Sequence, residues 1–470
     1  MQFDSNSSSN ARLEELVDAW KLKGVQVCIW KSADRWQEGL DGKTDFDFLV
    51  AEDRIECAHL VLLAQGWIPV QAEKWRSFPG LFDYVSLRNG VNHHIHLHDK
   101  IVSGEKLTKS LRPPLSNLYL EKTIQSYPPF VQTELEFVIY IVRMMVKLNW
   151  VDYLGALKRR STFALYRNYI DEYELLRNAT QPEALARLLE HPALRRLPAS
   201  IILTAHQNLS NLGWSQRRIL RRAISDWRVE TWRNLWFRKI VRLVDKRKWG
   251  VGKTFAFRTP TIAVCGADGS GKTTLVNALE RHLARHLRVS RLYMGSNILE
   301  ADPARRFLVK GLWFPYLLVR KSFKTLGWRR GQAATESLYK KLDLFLLRRQ
   351  KMHRLREAEL ASRYGETVLF ERYPLFCPFG DDHQPSLQRG SISMPDILVF
   401  LEVSESTALA RRREDRREVI QAKVKAFGKL VDADFPRTRV LVCAESESVE
   451  VRVNKIADFF DEVLSERAQM

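Results

Sequence analysis

The sequence predicts an α/β protein. Its C-terminal half is a doubly wound parallel sheet, its N-terminal part an α+β domain, and a helical segment lies between them. Three observations carry this reading. Five short apolar runs alternate with helical stretches from Thr261 to Cys443, the pattern of strands buried on both faces. A Gly-rich GxxxxGK[ST] loop joins the first of those strands to the first of those helices. Ahead of them, mixed strand and helix patterns up to about residue 120 give way to helical periodicity from 121 to 250.

The chain has 470 residues, enough for two or three domains, placed at 1–120, 121–250 and 251–470. With 45% hydrophobic and 28% charged residues it has the composition of a soluble globular protein. Its five cysteines are scattered, with no CxxC or Cys/His zinc spacing, which suits reduced thiols in the cytoplasm. The Ser/Asn-rich start, Met1 to Asn10, has no apolar core, so it is no signal peptide and is expected to be a disordered lead-in. The most apolar run, Phe307 to Val319, is interrupted by Lys310 and Pro315 and is too short to span a bilayer, so no transmembrane segment is expected. A net charge of +20 asks for anionic partners: nucleotides, nucleic acid or an acidic membrane surface.

The elements follow in order. Val25–Trp30 and Phe46–Val50 read as strands, Arg54–Gln65 as a helix and His94–His98 as a further strand. Phe137–Leu148 is an apolar helix. Pro182–Glu190 is another, with Thr180 or Gln181 at its cap and Pro182 in a first turn that needs no backbone N–H. From Ser215 to Lys248 the chain is basic and rich in tryptophan. Ile219, Leu220, Ala223, Ile224 and Trp227 recur at helical spacing among Arg217, Arg218, Arg221 and Arg222. That stripe reads as a core-packing helix, with a membrane-surface or nucleic-acid role as the alternative. Lys246 to Thr259 reads as a linker. Thr261–Cys265, Val289–Met294, Thr367–Glu371, Ile397–Val403 and Arg439–Cys443 are the five apolar strands.

The loop Gly266-Ala-Asp-Gly-Ser-Gly-Lys-Thr-Thr274 sits in the strand–loop–helix context that a phosphate-binding loop requires. Gly266, Gly269, Ser270 and Gly271 let backbone N–H groups turn inward around a phosphate chain. Lys272 reaches the β/γ-phosphates, the Thr273 hydroxyl holds Mg²⁺, and Thr274 follows in the first helical turn. ATP and Mg²⁺ are the cofactors this pattern implies.

At these residues the chain resembles the thymidylate kinase-like group of P-loop kinases. GADGSGKTT is close to that group's GxDGxGKTT. Val368-Leu-Phe-Glu-Arg-Tyr-Pro374 matches its strand ending in Asp-Arg-Tyr, with Glu371 for Asp. Pro395 to Ser404 looks like its PDLxLxLDV strand, and Ala408 to Arg417 like its lid. The resemblance covers roughly residues 258 to 465. It implies that Asp268 lies beside the acceptor, that Glu371 holds Mg²⁺ through water, and that Arg372 binds the acceptor or the transferred phosphoryl. Arg411, Arg412, Arg413, Arg416 or Arg417 would supply lid charge, with Arg412 assigned to the nucleotide. Lys272, Asp268, Glu371 and Arg372 are thus the catalytic candidates. One stretch departs from the group. Where thymidylate kinases carry a TREPGGT-like segment, this chain reads Tyr293-Met-Gly-Ser-Asn-Ile-Leu-Glu-Ala-Asp-Pro303. The kinase chemistry is retained and the acceptor is expected to differ.

In the N-terminal part, Gly42-Lys-Thr-Asp-Phe-Asp-Phe-Leu-Val50 places Asp45 and Asp47 on one face of a strand, where they can share a divalent cation and a triphosphate. Val25 to Ile124 resembles nucleotidyltransferase-fold proteins of an uncharacterised bacterial type. His94-Ile-His-Leu-His98 stands in place of that fold's "IDLH" strand, so His96 replaces the expected third carboxylate. His94, His96 and His98 share one face, which suits either packing or a metal.

These readings combine into a cytoplasmic, or membrane-surface-associated, ATP-dependent phosphotransferase acting on an unidentified, non-standard acceptor. Glycan or surface-polymer metabolism is the analogy that the domain pairing suggests. The alternatives are a true dTMP or nucleoside-monophosphate kinase, a nucleic-acid end-processing or binding protein, and a regulatory NTPase. Expected partners are ATP, the acceptor, an anionic surface or nucleic acid, and a second copy of the chain as a homodimer.

Overall fold

The computed structural model describes residues 5–31, 33–73, 77–104, 109–125, 127–147, 170–229, 234, 236–237, 240–241, 252–295, 303–325, 328–373, 394–411, 417–431 and 435–469. The chain divides into two compact units, Met1–Lys253 with Ser465–Met470, and Thr254–Leu464.

The N-terminal unit is built on five strands: β1 (Val27–Ile29), β2 (Phe46–Val50), β3 (Ile68–Gln71), β4 (Leu81–Ser86) and β5 (His93–His98). They lie in the order β1-β2-β5-β4-β3. β2 and β5 run parallel, while β1, β4 and β3 are antiparallel to their neighbours. The β4–β5 hairpin turns at Arg88–Gly90, where Asn89 (φ 59°) and Gly90 (φ 70°) take the left-handed conformation. Asn-Gly tolerates that conformation better than other pairs.

Side chains alternate across the strands, so the sheet has two distinct faces. One face, carrying Phe46, Phe48, Val50, Ile95 and Leu97, is sealed by helices Ser5–Leu22 and Ile55–Ala64 through Leu16, Trp20 and Leu62. The expected disordered start is therefore corrected. Ser5 to Asn10 belongs to the first helix, whose stripe Leu13, Leu16, Val17, Trp20 is buried and draws the polar start into the fold.

On the opposite face, Cys28, Trp30 and Leu49 join a helical core around Thr133–Lys147. That helix is buried nearly all round, as its run FVIYIV demands, between Ile170–Ala179, Pro182–Leu189, Ala199–Gln207 and Trp214–Ala223. Within it Glu136 is buried, and burial pushes its carboxyl up to about 7 against a backbone hydrogen bond at Ala33 and the charge of Arg143.

The basic stripe packs as a short helix. Leu220, Ile224 and Trp227 are buried, but Ile219, next to Leu220 and so about 100° round the helix from it, is 53% exposed. Two of its arginines have structural work. Arg217 Nε donates to Met145 O and Arg221 Nη2 to Val146 O, both at 2.9 Å, satisfying the last carbonyls of the buried helix. Most of residues 230–251, which continue that basic, tryptophan-rich stretch, lie outside the described residues.

The C-terminal unit opens with β6 (Thr254–Phe255) and then forms one sheet of β7 (Thr261–Gly266), β8 (Val289–Tyr293), β9 (Thr367–Glu371), β10 (Ile397–Leu401) and β11 (Arg439–Cys443). The order is β11-β10-β7-β9-β8, and every pairing is parallel. Leaving β7 the chain passes to the β8 edge, and leaving β9 it crosses to β10 on the other side of β7. The carboxyl ends of β7 and β9 therefore flank a switch point, where ligands of open α/β sheets bind. Helix Lys272–Leu283 buries Leu275, Val276 and Leu279, and helix Val449–Gln469 buries Ile456 and Phe460.

Two long helices, Pro303–Thr325 and Arg329–Arg363, pack against each other as a hairpin, with Tyr316 stacked on Tyr339. The apolar run Phe307–Val319 is not broken by Pro315, which sits inside the first of them. Among the described residues no helix is long and apolar enough to cross a membrane.

Candidate functional site

In the C-terminal unit the site grows from the end of β7. Gly266 closes the strand at φ 155°, and a Cβ there would lie 2.8 Å from Ser270 Oγ and 2.9 Å from Leu401 O. Only glycine lets the loop fold this close to β10. Gly271, at φ 90°, is the left-handed residue from which helix Lys272–Leu283 starts. A helix N-terminus thus faces the loop, with the partial positive charge that favours phosphate.

Lys272 is buried and curls back over the loop, donating to Gly266 O (2.9 Å) and Ala267 O (2.6 Å). Its Nζ is 4.0 Å from Asp268 Oδ1. Ser270 Oγ is buried inside the loop with no hydrogen-bond partner, a donor that a phosphate oxygen would satisfy. Thr274 is exposed in the first turn.

Thr273 and Glu371, far apart in sequence, are brought together. Thr273 Oγ1 donates to Glu371 Oε1 at 2.5 Å. The second oxygen of Glu371 accepts from Arg291 Nη2 at 2.6 Å, and Glu371 itself is 1% exposed. Arg291, on β8, also reaches Glu280 Oε2 at 3.3 Å. Sequence reasoning missed Arg291. The signal was available: it is the charged residue in the β8 pattern VSRLY, and the parallel register pairs it with Leu369, two residues before Glu371 and so on the same face of the sheet.

Arg372 takes a left-handed conformation at φ 66°, a strain of order 1–3 kcal/mol for a non-glycine residue. Its backbone N–H donates to Val264 O, and its guanidinium lies 3.0 Å from Asp268 Oδ1. Asp268 is therefore shared between Arg372 and Lys272. From the lid segment, Arg411 Nη1 donates to Gly269 O at 2.8 Å, and Arg417 lies 3.9 Å from Glu405. Arg412, Arg413 and Arg416 lie outside the described residues. A cavity of about 430 Å³ opens beside the loop, lined by Ala267, Leu401, Ser404, Phe427 and Glu445.

In the N-terminal unit a second polar cluster lies on the sheet. Register sets Asp47 opposite His96 and His96 opposite Asp83, so the three form one row across β2, β5 and β4. A third carboxylate is thus present on this face, contributed by β4 at Asp83 rather than by position 96. Sequence reasoning missed it because β4 itself went unread. Asp45 accepts from His94 Nδ1 at 2.8 Å, and Asp47 accepts from His98 Nε2 at 3.0 Å.

Lys31 Nζ is 2.7 Å from Asp47 Oδ1 and Lys253 Nζ is 2.7 Å from Asp83 Oδ1. Burial works to raise both carboxyls. The Lys31 charge at Asp47, and the nearby His94 ring with the Lys253 charge at Asp83, outweigh it and hold both well below the usual range. Burial pushes His96 down to about 4 and His98 down to about 3, so both imidazoles are neutral at physiological pH. Partial burial, and after it the nearby Lys31 charge, push the Lys109 ammonium down to about 8.

No family model matches the chain. It is similar to the uncharacterized ATP-binding protein YghR of Escherichia coli K12, at 25% identity over 216 residues, which is 39% of this chain and 84% of that protein. Among solved structures, a deoxyadenosine kinase from M. mycoides is 14% identical, covering 43% of this chain and 99% of its own, with a TM-score of 0.26. A thymidylate kinase from Candida albicans is 17% identical, covering 44% and 93%, with a TM-score of 0.29. At those scores neither structure bears on activity.

Proposed function

We propose that the C-terminal unit is a P-loop kinase that transfers the terminal phosphoryl group of ATP to an acceptor other than a standard deoxynucleoside monophosphate. The observation that carries the reading is the convergence on one loop of Lys272, the Thr273–Glu371 pair and the Asp268–Arg372 pair. The orphaned Ser270 hydroxyl and the glycine-only approach at Gly266 favour a polyphosphate there. Similarity to an ATP-binding protein agrees with it.

The roles follow from the contacts. Lys272 exchanges its loop carbonyls for the β/γ-phosphate oxygens. Thr273 and Glu371 form the oxygen pair that suits Mg²⁺, which when bound would neutralise charge on the phosphates. Arg291 holds Glu371 in place. Arg372 presents its guanidinium to the phosphoryl in transit or to the acceptor, oriented by Asp268, which lies beside the acceptor hydroxyl. The contact of Arg411 with Gly269 O supports a lid arginine acting at the loop, and Arg412 is the neighbour assigned to the nucleotide. Phosphoryl transfer needs little else than such positioning and charge neutralisation.

The N-terminal unit is proposed to be nucleotidyltransferase-like, binding a nucleotide or divalent metal through Asp45 and Asp47.

The test is a phosphotransfer screen with labelled ATP against nucleotides, sugars and oligonucleotides. A non-nucleotide acceptor should be labelled, while dTMP should be turned over poorly, since the segment after Met294 lacks the nucleotide-acceptor signature. Efficiency on dTMP of about 10⁴ M⁻¹s⁻¹ or more, within the usual enzyme range, would contradict the acceptor assignment.

A further inference from the structure

We propose that the polar face of the N-terminal sheet is a histidine-bridged site for borderline divalent metals of the zinc class: as the second metal binds, His96 gives up its remaining ring N–H proton to solvent and, as an imidazolate, offers one ring nitrogen to each of two clusters, Asp47–His96–His98 and Asp83–His94–His96. The inference refines the reading of Asp45 and Asp47 as metal-binding and is independent of the kinase assignment.

Geometry carries it. In the first cluster, Asp47 Oδ1 is 3.4 Å from His96 Nδ1 and 3.0 Å from His98 Nε2. In the second, Asp83 Oδ1 is 3.4 Å from His94 Nε2 and 3.5 Å from His96 Nε2. Zinc bonds to nitrogen and oxygen of about 2.0–2.1 Å place neighbouring donors of a tetrahedron about 3.3–3.4 Å apart. The carboxylate–imidazole spacings, 3.0–3.5 Å, bracket that value, and within each set all three donor atoms lie within 4.8 Å of one another. The strand register that aligns Asp47, His96 and Asp83 puts the bridging imidazole between the two carboxylates.

Hydrogen bonding favours ligation over packing. His96 Nδ1 is buried and makes no well-aligned hydrogen bond: its nearest acceptor, Asp47 Oδ1, is 3.4 Å away. An unsatisfied buried nitrogen of this kind costs about 1–3 kcal/mol, and a metal would satisfy it. His94 Nδ1 lies 2.8 Å from Asp45, and in the tautomer that donates from Nδ1 the Nε2 carries the lone pair, 2.6 Å from the Lys253 ammonium and 3.4 Å from Asp83 Oδ1. A carboxylate–histidine pair of that kind is the usual outer support of a metal-bound imidazole. Asp45 is then a positioning residue.

The face already attracts cations. Lys31 Nζ lies on Asp47, and Lys253 Nζ lies on both Asp83 and His94 Nε2, the latter at 2.6 Å. An ammonium that close to a ring nitrogen is donating to its lone pair, the same lone pair a metal would take. Three imidazoles among three carboxylates select zinc, cobalt or nickel over Mg²⁺, which prefers oxygen.

The test uses the full chain, stripped with a chelator and exchanged into metal-free buffer. Calorimetry with Zn²⁺ should show two equivalents bound, and Co²⁺ should give the visible absorption of a tetrahedral nitrogen–oxygen site. His96→Gln should abolish both equivalents, and His98→Ala only one. Asp45→Asn should weaken binding by about 10- to 100-fold, the effect of losing an outer hydrogen-bond partner. Lys253→Met, which removes the competing ammonium, should bind Zn²⁺ more tightly than the wild type.

Melting in chelator reports whether each variant folds. If His96→Gln does not fold, Lys253→Met decides, and unchanged or weaker binding overturns the proposal. So does absence of Zn²⁺ uptake by the wild type, or uptake that His96→Gln leaves intact. Mg²⁺-dependent nucleotide binding lost in Asp45→Asn/Asp47→Asn but kept in His96→Gln, with no Zn²⁺ uptake, would overturn this inference while sustaining the nucleotide reading of the same face.

Discussion

Removing Arg291 should expose how the candidate magnesium carboxylate is held. Glu371 is 1% exposed, with one oxygen on Thr273 and the other 2.6 Å from Arg291. Arg291→Met leaves the carboxylate buried with a single neutral partner. Breaking one side of a buried ion pair costs about 3–5 kcal/mol. Arg291 keeps 27% of its side chain in water, and water can re-enter beside it, so the lower end of that range, about 3 kcal/mol, is expected. The assay is a double-mutant cycle by denaturant unfolding at pH 7 on wild type, Arg291→Met, Glu371→Gln and the double variant. Because the double variant strands no charge, it should recover most of the loss, with a coupling of about 2 kcal/mol. Additive effects would show that Arg291 does not hold Glu371 and would refute its role.

Other predictions concern the loop and the buried helix. Gly266→Ala should cost at least about 2 kcal/mol and abolish ATP binding, because the new methyl meets Ser270 Oγ and the Leu401 backbone at 2.8–2.9 Å; calorimetry showing wild-type affinity would contradict this. Glu136→Gln should flatten the pH profile of stability. In the folded state burial raises this carboxyl to about 7 from an ordinary 4.5, so its contribution is full below pH 4 and is lost as pH rises through 7, about 3 kcal/mol in all. Unfolding curves of wild type and variant should therefore diverge between pH 4.5 and 8, and parallel curves would sink the assignment.

Much of the C-terminal unit was legible because parallel strands buried on both faces are written as uninterrupted apolar runs. Thr367–Glu371 and Arg439–Cys443 fall where the pattern puts them. The loop was legible because its glycines and Lys272 are fixed by local geometry. What could not be read were contacts made by register between distant strands. Arg291 meets Glu371 only through the β8–β9 pairing, and Asp83 meets His96 only through β4–β5. β3 was hidden by Pro69, which usually argues against a strand, and β4 by a charge at its centre. One local sign was there to use: Asn89-Gly90 is a hairpin turn signal, and it would have revealed β4, and with it the third carboxylate. The first helix was missed because its polar start masks a stripe that begins only at Leu13.

The central claim is that Lys272 and its loop hold the phosphates of ATP. It is tested most directly by measuring ATP binding and phosphoryl transfer in Lys272→Ala beside the wild type, with thermal melting as the fold control. The variant should stay folded, because the contacts it loses are two hydrogen bonds to the Gly266 and Ala267 carbonyls, each worth about 1 kcal/mol net. It should lose ATP affinity by at least tenfold and show no measurable transfer. Wild-type binding and turnover in a folded Lys272→Ala protein would contradict the account.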